Sequence, residues 1–254
     1  MPKSTSTLSN RRGGSAFPDP RHASRHGLVA YGNELTPPLL IDAYSHGIFP
    51  WFDDDSQPVL WWSPDPRAVM APADMHVSKS LRKKIRAGVF RVTADMAFAE
   101  VAAACAEPRA NSAGTWITRR MLAAYEQLHD LGFAHSVETW IGKDLAGGLY
   151  GVSLGRMFFG ESMFSRVPDA SKVALAHLAA QLRAWDFILI DCQIPTGHLA
   201  SLGAREMPRR TFLELVAANR GCPDRRGRWI LDDLAFRDAG PGTRGTRSGT
   251  REAR

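Results

Sequence analysis

Three strand-like segments in the middle of the chain constrain its fold more than any other feature. Residues 134–141, 145–153 and 156–161 have the apolar periodicity of strands, and only short GKD and GR turns separate them. Turns this short join antiparallel neighbours, whereas parallel strands need a crossover of about a dozen residues or more. The sequence therefore predicts an antiparallel meander and argues against a doubly wound parallel sheet.

Helical patterns flank this meander. We predict helices over 96–106 and 118–131 before it and over 169–184 after it, followed by an apolar strand over 187–193. The sequence contains no GxGxxG or Walker motif and no internal repeat. The predicted class is mixed α/β, of the α+β kind. A further strand is predicted over 90–94 and a last helix over 208–219.

The N-terminal part has a helix of its own and an aromatic, proline-rich segment. The stretch TPPLLIDAYSHG predicts a helix with Thr36 as N-cap, Pro37 at its first position and Gly47 just past its end. Residues 47–69 then contain GIFPWF and VLWWSPDPRAV, whose prolines forbid a continuous helix. We expect ordered but irregular chain in this segment.

The excess of basic residues lies mainly in the two chain ends. The formal net charge is +6, but residues 1–26 carry five Lys or Arg against one acidic residue, and residues 237–254 carry five against two. A nucleic-acid site in the nearly neutral body must therefore come from local clustering of cations. The ends at 1–16 and 237–254 are predicted to be disordered, which leaves a small N-terminal domain at 17–66 and a main domain at 67–236.

Composition argues against several classes of protein. No apolar run reaches the ~18–20 residues of a membrane span, and the polar N-terminus lacks the layout of a signal peptide, so we expect a cytoplasmic protein with no membrane partner. Cys105, Cys192 and Cys222 are too few and too widely spaced for a disulfide framework or a zinc site. His22 and His26 have helical spacing but no acidic third ligand. We predict neither a metal nor a cofactor.

Polar residues at the end of the last predicted strand form the first candidate site. The segment FILIDCQ ends on Asp191 and Gln193, and because side chains alternate along a strand, both point to one face and Cys192 to the other. An acid and an amide placed in this way can form an oriented hydrogen-bonded pair. A simple strand-end cap explains the pattern equally well.

Glu161 in GESMFS is the second candidate. It follows the apolar run RMFF and precedes Met163 and Phe164, and a carboxylate among apolar groups is costly unless it meets a cation or several donors. Glu161 is therefore a candidate for binding a positively charged substrate group. An ordinary salt-bridged glutamate is the alternative.

Basic and aromatic side chains form two further candidate surfaces. The segment SKSLRKKIRAG predicts a helix capped by Ser78 and closed by Gly88, and its cations favour a phosphate backbone, with a solvated helix face as the alternative. These cations are Lys79, Arg82, Lys83, Lys84 and Arg86. Aromatic platforms can stack unpaired bases, although burial in the core is the alternative for each indole. The indoles outside periodic apolar runs are Trp51, Trp61, Trp62 and Trp116.

Nine segments occur in an order that resembles the bacterial leucyl/phenylalanyl-tRNA–protein transferase family: GIFPWF, WWSPDPRAV, TWIT, HSVETW, GGLYG, GESMFS, ASK, LIDCQ and SLGARE. The resemblance covers residues 17–229 and implies a GNAT-like acyltransferase domain beside a small N-terminal domain. It also implies transfer of Leu or Phe, and less readily Met, from Leu-tRNA or Phe-tRNA to acceptor proteins with N-terminal Arg or Lys. Such transfer marks the acceptors for degradation.

The resemblance implies roles for single residues. It assigns Asp191 and Gln193 to catalysis, Glu161 to the acceptor site, and Trp51 and Trp116 to the terminal adenosine of the tRNA. We group Ser162 with this aminoacyl-adenosine site. An apolar donor side chain also needs a cavity, for which the best candidates are Leu149, Phe158, Met163 and Ile190.

An aminoacyl ester is already an activated acyl donor, so the enzyme must mainly align it with a neutral amine and stabilise the oxyanion. We expect Asp191 to hold the side-chain NH2 of Gln193 and to accept the proton, while Gln193 orients the amine. Glu161 is expected to share the selection of Arg or Lys with Asp191.

Two other functions stay open at this point. A tRNA-binding module without catalysis would explain the basic helix and the indoles, but not the strand-end DCQ or Glu161. A GNAT-type acetyltransferase that uses acetyl-CoA fits the predicted fold. However, no Gly-rich pyrophosphate turn precedes the predicted helix at 169–184.

Overall fold

The computed structural model describes residues 15–108 and 117–232 of the chain, together with the short strand Ser6–Thr7. Within this part, a small four-stranded sheet and a helix form the N-terminal unit, with strand order β1-β2-β4-β3. The helix α1 begins at a proline, as predicted. The elements are β1 (Ser6–Thr7), β2 (Leu28–Gly32), α1 (Pro37–Ser45), β3 (Phe49–Pro50) and β4 (Val59–Trp62).

A larger mixed sheet forms the centre of the molecule. Its strands are β5 (Arg67–Met70), β6 (Arg91–Ala94), β7 (Ala134–Ile141), β8 (Asp144–Leu154), β9 (Met157–Ser165), β10 (Leu189–Gln193) and β11 (Arg205–Met207). They lie in the order β11-β5-β10-β9-β8-β7-β6. The helices are α2 (Lys79–Arg86), α3 (Phe98–Ala106), α4 (Arg119–Asp130), α5 (Ala170–Ala184), α6 (Gly197–Ser201) and α7 (Arg209–Asn219).

The predicted meander is confirmed, because β7, β8 and β9 pair as antiparallel neighbours. The helix α5 then carries the chain back so that β10 pairs with β9 in parallel. This parallel pairing ends at Phe159 and Asp191, although β9 continues to Ser165. The segments that contain Glu161 and Asp191 therefore meet where β9 and β10 separate. The strand order also confirms the predicted α+β class.

The prediction of irregular chain over 47–69 is wrong, because this segment contains β3, β4 and the start of β5. In β4, Val59 and Trp61 are buried while their neighbours are half-buried, which is the period-two pattern of a strand. Pro64 and Pro66 lie between β4 and β5 and interrupt neither. The prolines thus mark the ends of short strands.

The structure describes part of the N-terminal segment that we predicted to be disordered. The strand β1 pairs in parallel with β2, with Ser6 opposite Ala30. The Asp42 carboxylate accepts hydrogen bonds from the Ser15 hydroxyl at 3.0 Å and from the Ala16 N–H at 2.8 Å. The ordered chain thus begins before residue 17. The prediction for residues 237–254 lies outside the described residues.

Hydrophobic clusters cover both faces of the larger sheet. Phe158 packs in the cluster that contains Leu178 of α5, whereas its neighbour Phe159 packs in the cluster that contains Tyr44 of α1 and Tyr125 of α4. This alternation places α5 on one face of the sheet and α1 and α4 on the other. Glu161 on β9 and Asp191 and Gln193 on β10 are therefore buried.

Candidate active site

A cavity of about 460 Å³ opens beside the point where β9 and β10 separate. This volume lies in the range of small-molecule sites, roughly 300–1,000 Å³. Its wall includes Glu161, Ser162 and Asp191. It also includes all four residues that we predicted to hold an apolar donor side chain: Leu149, Phe158, Met163 and Ile190. The structure thus brings the apolar candidates and both carboxylates to one cavity.

Glu161 is held by three neutral donors. Its Oε1 accepts hydrogen bonds from the Tyr44 hydroxyl and from Gln193 Nε2, each at 2.7 Å, and its Oε2 accepts one from the Tyr125 hydroxyl at 2.7 Å. Glu161 is 8% exposed and has no basic partner in the described part of the chain. Of the two arrangements that its sequence context allowed, several donors and not a cation hold this carboxylate.

Burial raises the pKa of Glu161 to about 7. The hydrogen bonds from Tyr44 and Tyr125 act in the opposite direction, the negative charge of Asp191 raises the pKa further, and the bond from Gln193 lowers it. Desolvation is the largest cause because a buried carboxylate loses its hydration without gaining a counter-ion. Glu161 thus changes charge near neutral pH.

Asp191 has a different environment, because it forms a fully buried ion pair with Arg67. The guanidinium Nε and Nη2 donate to the two carboxylate oxygens at 2.8 and 2.6 Å. The guanidinium lies 4.7 and 4.6 Å from the ring centroids of Phe49 and Phe212, and its Nη1 donates to the Gly47 carbonyl at 3.3 Å. Both oxygens of Asp191 are thus bound by a fully buried cation.

Our sequence reasoning did not select Arg67. The available signal was an arginine at the start of the apolar run RAVM, since a fully buried arginine is rare unless it is paired. Sequence alone could not name its partner, which lies 124 residues away and is brought close by the pairing of β5 with β10.

The predicted bond between the Asp191 carboxylate and the Gln193 side-chain NH2 is wrong. The side-chain amide of Gln193 donates to Glu161, whereas its backbone N–H donates to Asp191 Oδ1 at 2.9 Å. A register shift interrupts the β5–β10 pairing between these two residues, and Gln193 has a φ of 62°. The irregularity breaks the strand alternation on which the prediction depended.

Cys192 also lines the cavity. Burial is the main cause that raises the pKa of its thiol to about 12, with a further contribution from Asp191. Because the thiolate is the reactive form of cysteine, this thiol is unsuited to act as a nucleophile at neutral pH. Covalent catalysis by Cys192 is therefore not supported.

The indoles have different environments. Trp51 is 41% exposed and its ring meets that of Trp62 edge-on, with centroids 6.1 Å apart. Trp61 is fully buried against Phe17, so burial in the core is the interpretation that holds for it. Trp116, which we assigned to the adenosine site, lies outside the described residues. An exposed aromatic surface is thus present at Trp51.

The basic helix is confirmed as α2, and the Ser78 hydroxyl accepts the N–H of Leu81 as its N-cap. Lys84 is paired with Asp169, to which it donates at 2.6 Å, and Lys172 joins this ion pair at 3.0 Å. These two lysines lower the pKa of Asp169. The other four cations of the helix are exposed or half-buried: Lys79, Arg82, Lys83 and Arg86.

Comparison with known proteins decides the family. Residues 69–217 match the family model described as leucyl/phenylalanyl-tRNA protein transferase, and residues 33–65 match the model of its N-terminal domain. The chain belongs to this family. The leucyl/phenylalanyl-tRNA–protein transferase of Nitrosospira multiformis is 53% identical over 86% of this chain and 94% of its own length. That of Ectopseudomonas mendocina is 55% identical over 82% and 93%.

Among solved structures, a GCN5-related N-acetyltransferase from Kribbella flavida is similar with a TM-score of 0.31 and 14% identity, over 68% of this chain and 61% of its own. The family confirms the resemblance seen in the sequence, and the protein is an aminoacyltransferase that moves an amino acid from aminoacyl-tRNA to a protein. The simple binding module and the acetyl-CoA enzyme are set aside.

Two features are absent from the part of the chain that the structure describes. No helix in that part of the chain is long and apolar enough to cross a membrane. In the same residues, no group of three or more His, Cys, Asp or Glu side chains is arranged to hold a metal ion.

Proposed function

We propose that this enzyme transfers Leu or Phe, and less readily Met, from Leu-tRNA or Phe-tRNA to the α-amine of proteins that begin with Arg or Lys. The observation that carries the proposal is one cavity with an apolar wall and a buried carboxylate that has no counter-ion among the described residues. The names of the relatives support the donor, and the family resemblance supports the acceptor. The new N-terminal residue marks the product for degradation.

The donor side chain is proposed to occupy the apolar wall. Burying a Leu or Phe side chain is favourable by about 1.5–3 kcal/mol, whereas a charged donor side chain would lose its hydration there. We keep the four predicted residues for this role: Leu149, Phe158, Met163 and Ile190. The cavity thus selects donors by size and polarity.

Charge near the cavity favours Glu161 as the residue that selects the acceptor. The charge of Asp191 is already matched by Arg67. Among the described residues, an ionised Glu161 is bound by hydroxyl and amide donors and by no cation, so its charge remains available to an acceptor cation. We therefore assign the recognition of an Arg or Lys side chain mainly to Glu161. Asp191 contributes only to the electrostatic surroundings of Glu161.

The chemistry needs an oriented amine. The α-amine has a pKa of about 7.7–8.0, so a minority of acceptor molecules carries a neutral amine at pH 7 that can attack the ester carbonyl. The C–N bond forms, the C–O bond to the ribose breaks, and the amine proton leaves to the ribose oxygen or to water. The side-chain NH2 of Gln193 donates to Glu161. The side-chain oxygen of Gln193 can then accept a hydrogen bond from the amine.

Asp191 receives a revised role in this scheme. Since both of its oxygens bind Arg67 and one also binds the Gln193 N–H, proton acceptance by Asp191 would break a buried ion pair. We propose that Asp191 fixes the backbone of Gln193 and that Gln193 is the residue that contacts the amine.

The tRNA is proposed to contact the exposed face of α2 through Lys79, Arg82, Lys83 and Arg86, because clustered cations bind a phosphate backbone. We leave Lys84 out of this set, since Asp169 occupies it. Trp51, Trp116 and Ser162 remain the proposed contacts of the terminal adenosine.

Labelled Phe-tRNA and three peptides test the proposal. The peptides begin with Arg, Lys or Ala and are otherwise identical. We expect label on the first two and little on the third. A fourth peptide with an acetylated N-terminal Arg controls for transfer to side chains. Equal labelling of the Arg and Ala peptides would overturn the proposed acceptor specificity.

A further inference from the structure

Tyr44, Tyr125 and Glu161 form a closed triangle of oxygen contacts beside the cavity. Each hydroxyl lies 2.7 Å from a different oxygen of Glu161, and the two hydroxyl oxygens lie 2.5 Å apart. Each hydrogen bond needs one proton between its two oxygens, so three contacts need three protons. The two tyrosines supply two of them. The third can come only from the carboxyl group.

The charge state of Glu161 decides whether the triangle is satisfied. If Glu161 is ionised, both tyrosine protons point at its oxygens, and the 2.5 Å contact between Tyr44 and Tyr125 contains no proton. Two oxygens this close repel each other unless they share a proton. If Glu161 is protonated on Oε2, the contact with Tyr125 reverses its direction: Oε2 donates to Tyr125, Tyr125 donates to Tyr44, and Tyr44 donates to Oε1, so each group donates once and accepts once around the ring. The geometry thus fits the neutral acid.

The surroundings favour storage of a proton at this carboxyl group. Burial raises the pKa of Glu161 to about 7, and burial and the nearby Glu161 charge raise the pKa values of the tyrosines well above 10. The proton that leaves near neutral pH is therefore that of Glu161. The titratable groups that face it are Tyr44 from α1, Tyr125 from α4, Tyr150 from β8, and Asp191 with its partner Arg67; Cys192 and His198 line the same cavity.

We propose that the ligand-free enzyme holds this third proton and that a basic N-terminal acceptor expels it on binding. The inference rests on the acceptor specificity proposed above. The neutral carboxyl group and a cationic acceptor give a carboxylate paired with the acceptor and one proton, which passes to solvent water. The O–H bond of Glu161 is the only bond that breaks. Tyr44 and Tyr125 are positioning residues that act through Glu161.

This coupling gives acceptor binding a defined pH dependence. Below the pKa of Glu161, each acceptor that binds must displace a proton. The affinity for the acceptor therefore falls about tenfold for each unit by which the pH decreases. Above that pKa the site is already ionised, and the affinity is flat. The proton is thus a competitor of the acceptor side chain.

Calorimetry in buffers of different ionisation enthalpy measures the number of protons released when an Arg-initiated peptide binds without tRNA. At pH 6, where the α-amine stays charged, we expect about one proton released per peptide, decreasing to half at the pKa of free Glu161. In Glu161→Gln we expect none. No proton release from the wild-type enzyme at pH 6 would overturn the inference.

Tyrosine variants separate the ring from other titrating groups. Loss of either hydroxyl removes the contact that is unsatisfied only when Glu161 is ionised, and it removes two of the three bonds that the neutral ring makes. We therefore expect Tyr44→Phe and Tyr125→Phe to move the midpoint of proton release to lower pH, whereas loss of a simple donor to the carboxylate would move it to higher pH. Tyr150→Phe is the matched control, because its buried hydroxyl has no hydrogen-bond partner among the residues described. A midpoint that is unchanged or higher in Tyr44→Phe and Tyr125→Phe would contradict the ring.

Infrared spectroscopy tests the stored proton even if a tyrosine variant fails to fold. At pH 6 we expect the wild-type spectrum to contain a protonated-carboxyl stretch that Glu161→Gln lacks and that disappears when the Arg-initiated peptide binds. Absence of this band would overturn the inference. Normal transfer to Arg-initiated peptides without the band leaves the proposed function standing. Failure to bind or label these peptides defeats the proposed function itself.

Discussion

Arg67 and Asp191 form a bidentate ion pair in which neither side chain has any exposed surface. The pair joins β5 to β10, and the same carboxylate accepts the backbone N–H of Gln193. One contact between neighbouring strands therefore supports the segment that carries the amide of the proposed active site.

Arg67→Met is expected to lower the free energy of unfolding by about 3–5 kcal/mol, because it leaves Asp191 buried without its counter-ion. Urea unfolding of the purified variant measures this change. Arg210→Met is the matched control, since Arg210 is mostly exposed in its pair with Glu214 and should change stability by less than about 0.5 kcal/mol. Similar losses of unfolding free energy in both variants would contradict the inference that buried Arg67 stabilises the fold by neutralising Asp191.

Asp191→Asn should impair both folding and transfer, whereas Gln193→Asn should impair mainly transfer. Asparagine keeps the size of Asp191 but not the charge that Arg67 requires. At position 193, asparagine tolerates the positive φ but is too short to keep the bond to Glu161. We expect a loss on the order of 100-fold in the single-turnover rate of Gln193→Asn.

The double variant completes this comparison. The rate losses of Asp191→Asn and Gln193→Asn should not add, because the two residues are in contact. Unfolding measurements on the same samples show how much of each loss reflects instability. A fully stable and fully active Asp191→Asn enzyme would refute the role of the ion pair.

Leu149→Phe should reduce the use of Phe-tRNA relative to Leu-tRNA by at least about tenfold, since extra volume in an apolar pocket discriminates by about 1–3 kcal/mol. Competition between the two charged tRNAs measures the ratio. Leu154→Phe is the matched control, because Leu154 is buried on the same strand but is not part of the cavity wall. A ratio that changes equally in both variants would argue against the proposed donor pocket.

Local patterns predicted the elements whose signals are themselves local. The short turns around residues 142 and 155 identified the meander, and the cap at Ser78 identified α2. Local patterns also placed the four apolar candidates on central strands, and all four line one cavity in the structure.

The contacts that complete the site could not be predicted in this way. Tyr44 and Tyr125 lie on helices whose periodicity shows a buried face but not which strand that face meets. Arg67 depends on a strand pairing across 124 residues, and the orientation of Gln193 depends on an irregularity within that pairing. Each of these features arises from tertiary packing, which overrides the local pattern.

The last prediction concerns α2. Lys83→Glu combined with Arg86→Glu should weaken transfer from Phe-tRNA and make it less dependent on salt, because each lost phosphate contact reduces the number of counterions released on binding. Both side chains are exposed, so the fold should persist. Lys143→Glu, at an exposed lysine in the turn between β7 and β8, serves as the control for a change of net charge.

The measurement is the transfer rate across a series of salt concentrations, repeated with a short aminoacyl-adenosine donor that lacks the tRNA body. We expect the double variant to use this short donor normally, since it offers no phosphate backbone to α2. An equal loss with the short donor would show that the helix supports the fold and does not bind tRNA.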